Sequence, residues 1–387
     1  MAMEDGMNEV PDEIVEHILS YVETKDAMQC SVLSKRWRSL WRALPVLNFD
    51  SASFTHYSSF ANFVLHVLHS STSLTLTHCK FWFDISNPIF CCLQICIDRQ
   101  DLCEGLVRMF IHHVTTHGVQ HLTLLFPRIV DDLPLLFSCQ SLQHLQLFEL
   151  IILPDCWGFA SLTTLHLVRC SFMVDWDYGV GDLQSYDSSD GSFDPFENFV
   201  NLTHLLISDC RFPSKVRILD IRAPHLTNLT ISSMEHVRNI CPDCKIIVAS
   251  PTLTTFNFVD SHVLQLFLVG SCSIERAHLD VAVTGYQVPK HDFISRLIDM
   301  FWAIGDAKDV TLSFQTISIL SQFPAELRHP CPFTGMQILR VKVLNESCST
   351  TMSIPVEVLN FLLQGSPTKT FKVEAIKQMA RSSIGGN

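Results

Sequence analysis

Cys241-Pro-Asp-Cys244 carries metal-ligand spacing, because two thiolates three positions apart can share one tetrahedral zinc. A zinc site needs two further ligands, and neither a second Cys-x-x-Cys nor a paired-histidine motif follows. His236 and Cys272 would have to be recruited without any characteristic spacing, so a turn between repeats is the expectation. His113 and His117 share a helix face at i and i+4, yet the glutamate of a His-Glu-x-x-His site is missing. Helix surface or packing is therefore expected for them. A frame from Tyr186 brings Asp190-Gly191 and Glu197 to EF-hand offsets, but tyrosine stands at the first ligand position. No Gly-x-Ser-x-Gly elbow, phosphate-binding glycine loop or dinucleotide fingerprint occurs. The expectation is a protein with no catalytic residues, no metal and no cofactor.

What remains is recognition chemistry, concentrated in Val10 to Leu44. Pro11 suits the first turn of a helix, and Ile14, Ile18, Leu19 and Val22 recur at helical spacing as one apolar face. Thr24 is the expected N-cap of a second helix, with Asp26 near its positive end. Ser34 is the expected cap of a third, in which Trp37, Leu40, Trp41 and Leu44 form a stripe. Lys35, Arg36, Arg38 and Arg42 lie off that stripe. Three helices this short hold too little interior to stand alone, so another surface must complete them.

The chain carries a formal net charge of −12 and a mean hydropathy of +0.24. At 387 residues it exceeds what one core usually holds, which calls for two units or a repeat array. The start, MAMEDGMNEV, is acidic without an apolar core, so no secretory signal is expected. Ile89 to Ile97 and Val263 to Gly270 are too short to span a bilayer. Fifteen cysteines scattered through apolar segments read as buried thiols of an intracellular protein, nuclear, cytoplasmic or both.

After the helices the chain repeats itself. L-x-x-L-x-L appears as Leu142-Gln-His-Leu145-Gln-Leu147, Leu162-Thr-Thr-Leu165-His-Leu167, Leu202-Thr-His-Leu205-Leu-Ile207 and Leu226-Thr-Asn-Leu229-Thr-Ile231. Leu253-Thr-Thr-Phe256-Asn-Phe258 is a further copy, and weaker ones end at Leu124, Val281 and Val341. The last apolar positions step by 23 from Leu124 to Leu147, by 20 to Leu167, by 24 from Ile207 to Ile231 and by 27 to Phe258. These are leucine-rich-repeat periods, in which each motif supplies one strand of a curved solenoid. The step from Leu167 to Ile207 is 40, about two repeats, and spans an acidic insert at 174–199. Between Cys170 and Cys210 stand eight acidic residues and no Lys or Arg. Gly179 to Asp194 is expected to be a mobile loop.

The N-terminal run resembles the F-box of plant F-box proteins. Matching it are Pro11-Asp12-Glu13, His17-Ile18-Leu19-Ser20, Thr24-Lys25-Asp26-Ala27, Ser31 to Trp37, and Leu40-Trp41. Val10 and Glu23 depart from the usual leucine and proline. The helical Leu106 to Val114 followed by Gly118-Val119-Gln120 resembles the unit that opens the solenoid in the family's leucine-rich-repeat members. Ile354 to Pro367 looks like the closing helix, loosely of the FBD type.

The resemblance implies an α/β chain: a three-helix F-box at 1–45, then a curved leucine-rich-repeat solenoid. A connecting region with irregular first repeats would fill 46–105, regular repeats 106–345, and a C-terminal cap and tail 346–387. It further implies a substrate adaptor of a Skp–cullin–F-box ubiquitin ligase, with Pro11, Ile14, Ile18, Leu19, Trp37 and Trp41 shaping or contacting the Skp surface. An alternative is a repeat scaffold that assembles no ligase. A helix-turn-helix reading of residues 23–44 conflicts with the acidic net charge and with tryptophans on the buried stripe, so no nucleic-acid partner is expected, and no membrane. Alternation along the strands turns His144, Gln146, His166, His204, Leu206, Asn228, Thr230 and Asn257 outward, the expected face for a target protein.

Overall fold

The computed structural model describes residues 10–32, 37–84, 100–126, 135–136, 138–152, 158–172, 191–212, 216–232, 245–261, 263–270, 273–282, 291–344, 354–364 and 370–376. Two compact units divide the chain after Val174.

In the first unit, helix α1 (Asp12–Leu19) starts one residue after Pro11, whose carbonyl accepts from Ile14 and Val15 N–H. Helix α2 (Thr24–Gln29) has Glu23, not Thr24, at its N-cap. The Thr24 hydroxyl is instead buried and accepts from the Asn48 backbone N–H at 2.7 Å, tying this helix to the first strand. Helix α3 (Trp37–Ala43) buries Trp37, Leu40, Trp41 and the following Leu44, the expected stripe. Its expected cap, Ser34, lies outside the described residues.

Helix α4 (Tyr57–Ser70) buries Phe60, Val64, Val67 and Leu68, and helix α5 (Gln100–Thr116) buries Leu106, Val107, Phe110, Ile111 and Val114. Both sets follow the 3.6-residue period. Strands β1 (Val46–Asp50), β2 (His78–Trp82), β3 (His121–Leu125), β4 (His144–Phe148) and β6 (Thr164–Val168) pair in parallel with no register slip. A short pair, β5 (Ile151–Ile152) with β7 (Ser171–Phe172), follows β4 and β6. Phe49, Phe81 and Phe110 join strand and helix, with ring centroids 5.0–6.5 Å apart. Helix α5 ends in a Schellman turn: Gly118 adopts φ 63°, Gly118 N–H donates to Thr115 O, and Val119 N–H to Val114 O. That geometry explains the Gly-Val-Gln sequence and seats Val119 in the core.

The expected irregular stretch at 46–105 thus contains two regular strands. Leu44-Pro-Val-Leu47-Asn-Phe49 and Leu76-Thr-His-Cys79-Lys-Phe81 are repeat copies in which Phe and Cys take the inward positions, all six of them buried.

In the second unit, strands β9 (His204–Ser208), β11 (Asn228–Ser232), β13 (Thr255–Asp260), β15 (Arg276–Val281), β16 (Asp309–Ser313), β17 (Ile338–Leu344) and β18 (Thr370–Ile376) form a parallel series. A second parallel sheet holds β8 (Ser192–Phe193), β10 (Ile218–Ile221), β12 (Lys245–Val248) and β14 (Gln265–Leu268). Helices α6 (His291–Ala303), α7 (Phe314–Ser321) and α8 (Val356–Leu363) intervene between the later strands.

Most of the expected loop from Gly179 to Asp194 lies outside the described residues, but its end is ordered. Ser192–Phe193 pair with Ile218–Leu219, and Phe193, Phe196 and Phe199 are fully buried, so three phenylalanines override the local turn composition.

Repeat-to-repeat spacing is held by threonine as well as leucine. After the first leucine of the motif, the Thr163, Thr227 and Thr254 hydroxyls each donate to the corresponding carbonyl one repeat earlier, at 3.0–3.2 Å. Glu149, Arg169 and Asp209 adopt positive φ directly after β4, β6 and β9, and the next residue, Leu150, Cys170 or Cys210, turns inward.

Candidate functional site

The first candidate surface is on α1. Its apolar residues divide between two faces: Val15 and Leu19 are buried, whereas Ile14 and Ile18 are 50% and 51% exposed. Leu19 therefore does not share the face of Ile14, Ile18 and Val22, because residues four apart stack while the two pairs are offset by one residue. Pro11, Tyr21, Val22 and Val32 are exposed as well. Of the residues expected at a Skp surface, Pro11, Ile14 and Ile18 face solvent, while Leu19, Trp37 and Trp41 are internal.

The second candidate surface is the outward side of the strands. Every anticipated residue points that way, since Leu145, Leu147, Leu165, Leu167, Leu205, Ile207, Leu229, Ile231, Phe256 and Phe258 turn inward. In the first unit Gln146 and His166 are register partners, and His144 lies opposite Thr164. In the second, His204 lies opposite Asn228, and Leu206, Thr230 and Asn257 form one row. Asn257 donates its amide to the Thr230 hydroxyl at 3.0 Å.

Three further features of the outward face escape pattern reading. His78, His121 and His144 stack across β2, β3 and β4, with centroids 4.1 and 4.2 Å apart and planes within 10°. Burial, then the neighbouring His78 and His144 rings, lowers the His121 pKa below the usual histidine value. Beside them Trp82 packs on Phe148 at 5.0 Å, and the Lys80 ammonium sits 4.9 Å from the Trp82 ring and 3.8 Å from Asp50. In the second unit the outward rows turn ionic: Arg340 pairs with Asp309, and Lys342 and Asp280 flank a half-buried His278. The first feature was findable from His-Cys-Lys-Phe-Trp at 78–82, had Cys and Phe been allowed at leucine positions.

Elsewhere, burial followed by the His117, His112 and His69 charges pushes His113 down to about 4. Asp194 is pushed up to about 6, mainly by burial, although Arg222 reaches within 4.0 Å of it. Cys79, Cys139, Cys170, Cys210 and Cys331 are buried thiols, and burial raises the pKa of Cys79 and Cys331. Among the described residues no group of three or more His, Cys, Asp or Glu side chains could hold a metal, and no helix is long and apolar enough to cross a membrane. Cys241, Cys244, His236, Cys272, Tyr186 and Asp190 lie outside the described residues.

Comparison with known proteins matches residues 7–49 to the F-box domain family. An F-box/FBD/LRR-repeat protein of Arabidopsis thaliana is 23% identical over 339 residues, 82% of this chain and 63% of the relative. F-box/LRR-repeat protein 13 of the same plant is 22% identical over 93% of this chain and 78% of its own length. A putative FBD-associated F-box protein of the plant reaches 34% identity over 240 residues, 59% of this chain and 45% of the relative. The chain spans between about a third and two thirds of the length of several of the relatives it matches. Residues 7–49 match the F-box domain, repeated parallel strands follow them, and along most of its length the chain is similar to F-box/FBD/LRR-repeat and FBD-associated F-box proteins of Arabidopsis thaliana.

Proposed function

We propose that the chain is the target-recognition adaptor of a Skp–cullin–F-box ubiquitin ligase and that it catalyses nothing itself. Helices α1 to α3 act as a three-helix F-box docking a Skp-type adaptor, and through it a cullin. The parallel strands act as the inner sheet of a curved leucine-rich-repeat solenoid that captures a target protein. The observation carrying this reading is the exposed pair Ile14 and Ile18 on a helix whose other apolar pair is already buried. Apolar surface clustered in this way on an otherwise packed element marks a contact with another protein.

Pro11, Ile14 and Ile18 make the adaptor contact in this reading, and Leu19, Trp37 and Trp41 hold its shape from beneath. Replacing Pro11 and Ile14 together by alanine abolishes capture of the Skp adaptor in a pull-down while leaving the melting temperature nearly unchanged. Full adaptor binding by that double variant sinks the proposal. Trp37→Ala loses the adaptor less cleanly, because removing a buried aromatic also costs about 3–5 kcal/mol.

For target capture the reading relies on the outward rows: His144, Gln146 and His166, then His204, Leu206, Asn228, Thr230 and Asn257. They are neutral and polar with an occasional apolar member, which suits protein better than a phosphate backbone. Targets are identified by proximity labelling with the proteasome inhibited, comparing the intact chain with one lacking residues 1–45. His166→Glu with Thr230→Arg then loses those targets and keeps the adaptor. Normal target binding by that variant moves recognition to the connecting loops.

A further inference from the structure

The helical layer of the first unit holds a histidine pair that adaptor function leaves unused. His113 and His117 are one turn apart on α5, with ring centroids 4.1 Å apart and planes at 29°. His117 donates its Nδ1–H to the His113 carbonyl at 2.7 Å, which fixes the tautomer and leaves a lone pair on Nε2. His113 Nε2 is shielded from water and has no hydrogen-bond partner. A buried polar nitrogen without a partner is costly and needs a physical account. On α4, His69 donates its Nδ1–H to Leu65 O at 2.7 Å, so its Nε2 is likewise a lone pair.

We propose that His113 and His117 form a two-imidazole site for a divalent transition cation of the Zn2+, Ni2+ or Cu2+ class. Imidazole suits these borderline ions, and two rings at i and i+4 on a helix are pre-positioned to chelate one. The His117 Nδ1–H bond to a carbonyl is the outer contact that commonly orients a ligating histidine. The stacked rings part slightly as the ion enters, His113 takes the tautomer protonated at Nδ1, and the two Nε2 atoms converge on the ion. Water completes the coordination. The bound ion satisfies the orphaned His113 nitrogen and staples the last turns of α5.

The test titrates Ni2+ into the full-length chain with its thiols kept reduced, reading heat of binding and melting temperature. The parent chain binds nickel and melts higher as nickel is added, because the ion binds the folded state. His113→Gln and His117→Gln each weaken binding roughly tenfold or more and remove the nickel-dependent rise. His112→Gln, an exposed neighbour on the same helix, leaves both intact. If His113→Gln already melts lower without metal, His117→Gln alone decides. The proposal is overturned if the parent shows no nickel-dependent rise, if His117→Gln keeps it, or if His112→Gln loses it equally. A Co2+ spectrum carrying thiolate charge-transfer bands in place of imidazole ligation, which would assign the ion to cysteines, also overturns it.

Discussion

The outward strand faces of the two units share one backbone geometry and differ in what they display. In the first unit the exposed rows are built from rings: three stacked histidines, His166, and Trp82 against Phe148. In the later strands of the second they carry ions, with Arg340 on Asp309, and Lys342 near His278 and Asp280. Inward, the two are alike, since leucine, isoleucine, valine and phenylalanine fill nearly every position. The comparison separates two constraints. Core packing restricts the inward residues to a narrow choice of volumes, whereas the outward residues are free to specialise, which is where partner choice can reside.

The largest expected effect tests whether the ring-bearing face is structural as well as displayed. Trp82 is only 8% exposed although it points outward, so Trp82→Ala costs about 3–5 kcal/mol in denaturant unfolding. Asp280→Ala, outward in the second unit, costs a small fraction of that. Equal losses would erase the distinction. Next is the ion pair: Arg340→Ala costs about 1 kcal/mol at low salt, because the pair is partly buried, and less at high salt. The tilted ring contact of Trp82 with Phe148 keeps its value in salt.

Two groups, one in each unit, contribute to the pH response with opposite signs. His121 has a folded pKa below its unfolded value, so the unfolded chain takes up the proton first. Stability from this group is fully present above the unfolded histidine pKa and is lost as pH falls from that value through the lower folded one. His121→Gln flattens that decline in melting curves taken from pH 7.5 down to 5. Asp194 has the reverse sign: its folded pKa is raised to about 6, so its contribution is lost as pH rises from about 4 to about 6. Asp194→Asn therefore melts higher than the parent at pH 7, and an unchanged or lower melting point there would show that Arg222 compensates fully. The smallest effect concerns the insert. Replacing residues 179–190 by a short Gly/Ser linker barely shifts the melting temperature, because loop-closure entropy varies slowly with length. Extending the deletion through Phe193 lowers it by many degrees, since that residue is buried on a paired strand.

Much of this architecture was legible in advance. Every L-x-x-L-x-L copy became a strand, and the outward and inward residues alternated as the two-residue period requires. The Trp37, Leu40, Trp41, Leu44 stripe packed inward as its spacing indicated. Copies at Leu44 and Leu76 were harder to read because phenylalanine and cysteine replaced leucine, and β16 because its inward pair is valine and leucine after an alanine. Strands of the second sheet were missed for another reason: two to four residues carry no usable period.

The sequence by itself determined which residues could pack, since hydrophobic periodicity is a local property that survives into any fold of the chain. Only the tertiary structure decided which neighbours met across repeats. That Thr24 holds the Asn48 N–H instead of capping its helix, and that His78, His121 and His144 stack although 43 and 23 residues separate them in turn, depend on strand register. Register is fixed by the whole ladder acting together, because a one-residue slip would turn every inward leucine to solvent.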